Sequence, residues 1–301
     1  MTSSVKHHLL LALGVVSLST AAILLRLYTG HPLSVVGWRL ILATLFLTPW
    51  AVRRFGEVRA LPRHSFWGLI GSGAALAAHF TLWVHSLRLT SVASAVTLVC
   101  LQPVFTMLGE VASGRKPPPR VLLPLALAIA GAAFMAGFDW TIGGQHLLGD
   151  LLALGGAWAI SIYWLIGRRL RQRLDLIPYT WSVYGIAGLF LLGGAGFLRA
   201  DLLPRTASDL LVVLLLALIP TLAGHSICNW ALKELPASTV STYILGEPIG
   251  STILAAFLLH ERPGWRSILG GMMVLAGLAW FFRWETGSVH RSPAPSSGAK
   301  D

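Results

Sequence analysis

Arg39, His79, Gln102, His225 and Glu247 each stand inside a run of apolar residues. A charge in mid-bilayer costs roughly 3 kcal/mol or more unless it meets a partner or a water-filled cavity, so polar groups in such runs are candidates for function. Glu247 precedes Pro248, which lacks an N–H, frees the carbonyl of Ile244 and permits a kink at the same level. A carboxyl there suits proton exchange or a cationic substrate, and equally a structural bond to a neighbouring helix. Gln102 precedes Pro103 in the same way and offers both a donor and an acceptor, either to a substrate or as glue between helices. His79 and His225 are each followed one turn later by a polar or aromatic residue on the same face, Trp83 and Asn229. They are expected either to line opposite ends of one pathway and relay protons, or to sit neutral and hydrogen-bonded within a bundle. Arg39 suits a substrate carboxylate or a pair with Glu247, or else snorkels to the surface. Trp83, Trp158, Trp230 and Tyr243 offer walls for an apolar or aromatic substrate. Glu110, beside Arg115 and Lys116, is expected in an interfacial ion pair.

Other chemistries lack their residues. His260 adjoins Glu261, but no second histidine follows at the spacing a zinc protease needs. The chain has no GxxxxGK[ST] loop for ATP, and the Gly-Ser-Gly at 71–73 is too short a match for a nucleophile. Cys100 and Cys228 both fall in apolar runs and read as small buried hydrophobes. No cofactor, metal or nucleic-acid partner is implied.

The elements that must position these residues are membrane spans. The chain is 55% hydrophobic and only 12% charged, against about 25% charged for a soluble domain. Windows of about 20 apolar residues predict spans near 9–27, 34–52, 66–87, 91–112, 121–138, 148–167, 178–198, 209–232, 238–259 and 265–283. The first is expected to be retained as a helix and not cleaved as a signal peptide. With the amino terminus in the cytoplasm, the clusters Arg53-Arg54-Arg59-Arg63, Arg115-Lys116-Arg120 and Arg168-Arg169-Arg171-Arg173 all fall inside. Only Arg26, Arg88, Arg199, Arg205, Arg262 and Arg266 fall outside. That bias predicts both termini in the cytoplasm. The net charge of +11 is dispersed between apolar runs, unlike a nucleic-acid-binding patch.

The chain also repeats itself. Residues 85–103 align without a gap over 230–248, bringing Arg88 to Lys233, Thr97 to Thr242, Gln102 to Glu247 and Pro103 to Pro248. LAIAGAAF at 127–134 parallels MVLAGLAW at 273–280, and LALG at 11–14 parallels LALG at 152–155. Five spans per half is odd, so the halves enter the membrane from opposite sides as inverted repeats, a recurring plan of secondary transporters.

Trp38-Arg39 in the second span, Ala231-Leu232, GEPIGSTILAAFLLHE at 246–261 and the closing LGGMMVLAG resemble the EamA-type members of the drug/metabolite transporter superfamily. The resemblance covers residues 8–284. It implies a carrier of amino acids or other small organic metabolites, often an exporter, with a central cavity between the halves and the fifth and tenth helices peripheral. The first half departs from the family pattern, since Lys116 aligns with Glu261. The expected fold is thus all-α and integral to the membrane, ten transmembrane helices as two inverted five-helix repeats, 1–140 and 141–285, with a disordered cytoplasmic tail at 286–301. The candidate substrate residues are Gln102, Glu247, His79, His225, Arg39, Trp83, Asn229, Trp158 and Tyr243. The expected partners are a small-molecule substrate, the lipid bilayer and protons. A membrane-embedded enzyme and a non-transporting scaffold are the competing readings.

Overall fold

The computed structural model describes residues 3–90, 92–115, 118–136, 144–258 and 264–289. The helices in chain order are α1 (Ser3–Ser19), α2 (Ala21–Arg26), α3 (Pro32–Arg53), α4 (Phe55–Arg59), α5 (Arg63–Leu89), α6 (Val92–Val99), α7 (Gln102–Ala112), α8 (Leu122–Ala136), α9 (Gly144–Leu170), α10 (Leu176–Phe197), α11 (Ala207–Leu216), α12 (Ser226–Ala231), α13 (Ala237–Tyr243), α14 (Glu247–Leu258) and α15 (Trp265–Val289). Among the described residues seven helices are long and apolar enough to cross a membrane: His7–Arg26, Pro32–Arg53, Arg63–Leu89, Ser94–Ala112, Gly144–Leu170, Leu176–Phe197 and Ala207–Ala231. The expected fifth and tenth spans carry shorter apolar helices, Pro119–Phe134 and Ile268–Phe281. The expected ninth is broken into α13, a 3₁₀ turn at Ile244–Gly246, and α14.

The breaks have local causes. Pro248 removes a donor, and the carbonyl it frees, Ile244 O, accepts from Cys100 Sγ at 3.6 Å, while Ser19 Oγ donates to Glu247 O at 3.2 Å. At the corresponding Pro103, α6 gives way to α7, and Ser161 Oγ and Thr106 Oγ1 both donate to Gln102 O at 3.0 Å. Between α11 and α12 the chain widens into a π-helical segment, Ala217–His225, which contains Pro220. Such wide turns cluster at functional sites.

Packing follows the small residues. α5 lies along α9, α3 along α10, and α8 along α15. A Cβ at Gly131 would sit 2.7 Å from Gly270 O, and one at Gly277 2.7 Å from Pro124 O, so α8 and α15 approach backbone to backbone only because both positions are glycine. At Gly73 a Cβ would meet Ile186 at 2.5 Å, which fixes α5 against α10. Large apolar side chains such as Leu13, Leu45, Phe190 and Phe257 cover the outside, a surface suited to lipid.

α15 continues to Val289, into the segment expected to be a disordered tail from Thr286. The first helix-breaking proline there is Pro293, and adding residues to an existing helix is far easier than starting one. Lys116, Trp140, His260, Glu261 and residues 290–301 lie outside the described residues.

Candidate functional site

Arg39, His79, Trp83, Gln102, His225 and Glu247 line one cavity of about 30 Å³, together with Phe80 and Trp164. Its walls come from α3, α5, α7, α9, the π-helical segment and the start of α14. The two prolines place Gln102 and Glu247 at the first residues of α7 and α14, where the helices restart.

Arg39 does not snorkel; it is fully buried. Its Nε donates to Thr221 Oγ1 at 2.9 Å, and its guanidinium lies over Phe80 with Cζ 4.5 Å from the ring centroid. Nη1 and Nη2 have no hydrogen-bond partner, and no ion pair joins Arg39 to Glu247. Two further donors or acceptors are buried without partners, Trp83 Nε1 and His225 Nδ1. An unpaired buried cation costs several kcal/mol, and an anionic group entering between these atoms removes that cost. Among the described residues no carboxylate or carbonyl meets the terminal nitrogens of this fork.

The histidines meet in one place, contrary to the expectation that they mark opposite ends of a pathway. His79 stacks on Trp83, with centroids 6.1 Å apart and planes 9° apart, and its Nδ1 bonds Gly156 O at 3.0 Å. Phe80 sets its edge to His225 at 5.7 Å, and Trp164 stacks on His225 at 6.0 Å. Gln102 Oε1 accepts from Trp164 Nε1 at 2.6 Å, which ties the amide to the aromatic wall.

Four expected residues lie elsewhere. Asn229 is fully buried and outside the cavity lining, its side-chain amide bonded to Tyr163 and Tyr184 and its backbone carbonyl accepting from Arg171 Nε at 3.0 Å. Trp158 is 59% exposed on the outer face of α9, about 100° around the helix from buried Ala157. Trp230 stacks on His7 at 4.6 Å, and Tyr243 bonds His8, so α1 occupies both rings. In their place stand Trp164, Phe80 and Thr221, which sequence reasoning missed. Trp164 had a signal: Ala153, Ala157, Ile160, Ser161, Trp164 and Gly167 recur at helical spacing as the buried stripe of α9, and Trp158 is off it.

Polar bonds join the helices around Asp175 and around Glu110. Asp175 takes Lys233 Nζ at 3.3 Å and Arg54 Nη1 at 2.6 Å, and its N–H donates to Glu57. The hydrogen bond from Lys233, with Lys233 and Arg54 as positive neighbours, holds the Asp175 carboxyl below the usual range. Glu110 ion-pairs with Arg115 at 3.6 Å, as expected, and also accepts from Ser238 N and Oγ at 3.2 and 2.7 Å, pinning α7 to the start of α13.

The EamA-like transporter family model matches the chain twice, over residues 5–137 and 147–283. The chain belongs to the EamA-like transporter family. Like other EamA members it is a transporter and not an enzyme, and it is a multi-pass membrane protein whose partner is a small-molecule substrate. It is 24% identical over 285 residues to an uncharacterized transporter of Archaeoglobus fulgidus, covering 91% of this chain and 96% of that one. It is 26% identical over 225 residues to a protein of Escherichia coli named "probable amino-acid metabolite efflux pump", covering 70% and 74%. A "probable terminal-alkyne amino-acid exporter" of Streptantibioticus cattleyicolor is 33% identical over 109 residues, covering 32% of this chain and 35% of that one. A protein crystal structure at 16% identity shares the fold, with a TM-score of 0.78 over 93% of this chain and 98% of that one.

Proposed function

We propose that this EamA protein exports a small zwitterionic metabolite, an amino acid or a compound like one, across the cytoplasmic membrane by alternating access. Arg39 takes the carboxylate and Glu247 the ammonium group, with Gln102 and the rings of Trp83 and Trp164 completing the site. The observation that carries this reading is the pair of unpartnered Arg39 nitrogens in a cavity that also holds Glu247. The names given to the Escherichia coli and Streptantibioticus relatives agree with it.

The proposed architecture is ten spans in two inverted five-helix units, 1–140 and 141–285, with both termini cytoplasmic. Supporting it, the family model matches two consecutive stretches of similar length. The helix pairings also exchange when the halves are swapped: α8 with α15 and α3 with α10 map onto themselves, and α5 with α9 maps onto the π-helical segment with α1. The cavity of about 30 Å³ has room for roughly one water molecule, so the bundle is contracted around the site and its walls must part to admit a metabolite. In this reading Glu247 and the two cavity histidines couple protons to that motion.

Counterflow in proteoliposomes tests the proposal. Vesicles preloaded with an unlabelled mixture of amino acids should take up labelled amino acid transiently and saturably. No counterflow with any amino acid would remove the zwitterion reading, and non-saturable flux would replace the carrier with a channel.

A further inference from the structure

A second cavity, of about 210 Å³, opens where the chain turns from α2 into α3. Its floor is Ala22, Val35 and Val84, and its rim is Arg26, Tyr28 and Arg88. The floor adjoins the central cavity residue by residue: Ala22 follows Ala21, Val84 follows Trp83, and Val35 stands one turn before Arg39 on α3. The two cavities therefore adjoin along the same three helices.

The polar groups here are arranged for an anion. The Tyr28 hydroxyl is buried without a hydrogen-bond partner, and so is Nδ1 of His31, which neighbours the lining residues Gly30 and Pro32 in the chain but is not itself one of them. The ring of Tyr28 lies over Gly30, where a Cβ would meet it at 2.8 Å, so glycine is required for this placement. The neighbouring acids are already engaged. Asp209 accepts from Thr29 N at 3.0 Å and from the hydroxyls of Thr29 and Thr206, and Asp201 is paired with Arg205. The remaining charges near His31 are Arg88 and His85, and together with burial they lower its pKa, burial having the larger effect. On the orientation proposed above, Arg26 and Arg88 also stand on the side from which the positive-inside bias removes basic residues, so their convergence on one cavity calls for a function.

We propose that this vestibule is an anion-binding station beside the central cavity, in which Arg88 holds the carboxylate of the transported metabolite and the Tyr28 hydroxyl donates to it. A carboxylate leaving the central site thus passes to a second cationic site before reaching water. This rests on the carrier reading for its role in transport, but binding at the station does not.

The test is binding to protein in phosphatidylcholine nanodiscs, with L-phenylalanine as probe and phenethylamine, its decarboxylated analogue, as control. In the Arg39→Gln protein, whose central site is disabled, L-phenylalanine should still bind and phenethylamine should not. Adding Arg88→Gln should weaken that binding at least tenfold, Tyr28→Phe should weaken it severalfold, and Arg88→Lys should restore part of it, with gel-filtration profiles unchanged. Binding equal in Arg39→Gln with and without Arg88→Gln overturns the proposal, as does the lack of any carboxylate-dependent binding by Arg39→Gln. Nanodiscs containing phosphatidylglycerol distinguish a lipid headgroup as the anion: competition by that lipid overturns the metabolite assignment. Counterflow can fail while this binding stands, and the reverse, so the two proposals are separable.

Discussion

Thr221 Oγ1 accepts a hydrogen bond from Arg39 Nε at 2.9 Å and donates its own proton to Leu216 O at 2.8 Å, five residues back. One hydroxyl thus closes the widened turn of the π-helical segment and aims the guanidinium. With Nε held, the two terminal nitrogens face the cavity in a fixed direction, and no protein oxygen meets them. A planar fork fixed at one nitrogen is prepared for bidentate binding of a carboxylate.

Thr221→Val should weaken substrate binding without preventing transport at saturation, because it loosens the aim of Arg39 but leaves the charge. A hydrogen bond to a charged group contributes about 1.5–3 kcal/mol, so the KM should rise about tenfold or more. Thr221→Ser keeps the hydroxyl and should stay near wild type. Uptake kinetics of the two variants in proteoliposomes decide this.

Arg39→Met should leave the protein inactive but more resistant to heat. Replacing an uncompensated buried charge with a chain of similar volume is stabilising by about 1–4 kcal/mol in comparable cases, and the contact over Phe80 is kept by the thioether. A higher melting temperature with no transport is the expected result. A lower one would mean that Arg39 is paired in the folded protein and is not waiting for a ligand.

Asp175 gives its polar cluster a pH dependence. Its carboxyl titrates below its ordinary value because Lys233 donates to it and Arg54 stands beside it. A depressed folded-state pKa stabilises fully above the unfolded value and is lost as pH falls through the folded one. The wild type should therefore lose thermal stability on acidification below about pH 4, the ordinary range of an aspartate, with a shallower loss in Asp175→Asn. The effect should be small, since Asp175 is 45% exposed and solvent screens the pair.

The apolar helices and the kink at Pro248 were legible because apolar runs and a Glu-Pro pair are local signals, whereas the break at Pro103 was marked only by its alignment with that pair. So were six of the cavity residues, for polar groups in hydrocarbon announce themselves wherever they fall. Which face a ring presents was less legible. Trp158 and Trp164 are six residues apart on one helix, and only the small-residue stripe of α9 distinguishes the exposed one from the buried one. Asn229, Trp230 and Tyr243 were lost to partners distant in sequence: Tyr163 and Tyr184 for the first, and His7 and His8 of α1 for the others. The π-helical segment had only Pro220 as a sign, because what holds it is the Thr221 hydroxyl, which also depends on Arg39 from another helix.

The most direct test of the central claim is charge selectivity at the Arg39–Glu247 cavity. Competition for L-phenylalanine counterflow should be compared for phenethylamine and 3-phenylpropionate in wild type, Arg39→Gln and Glu247→Gln. Wild type should prefer the zwitterion to either single-charge analogue. Arg39→Gln should lose counterflow, and Glu247→Gln should lose the preference for the ammonium group together with the pH dependence of transport, both variants still inserting in the membrane. Counterflow retained in Arg39→Gln, with unchanged selectivity and pH dependence in Glu247→Gln, would contradict the assignment of this cavity as the substrate site.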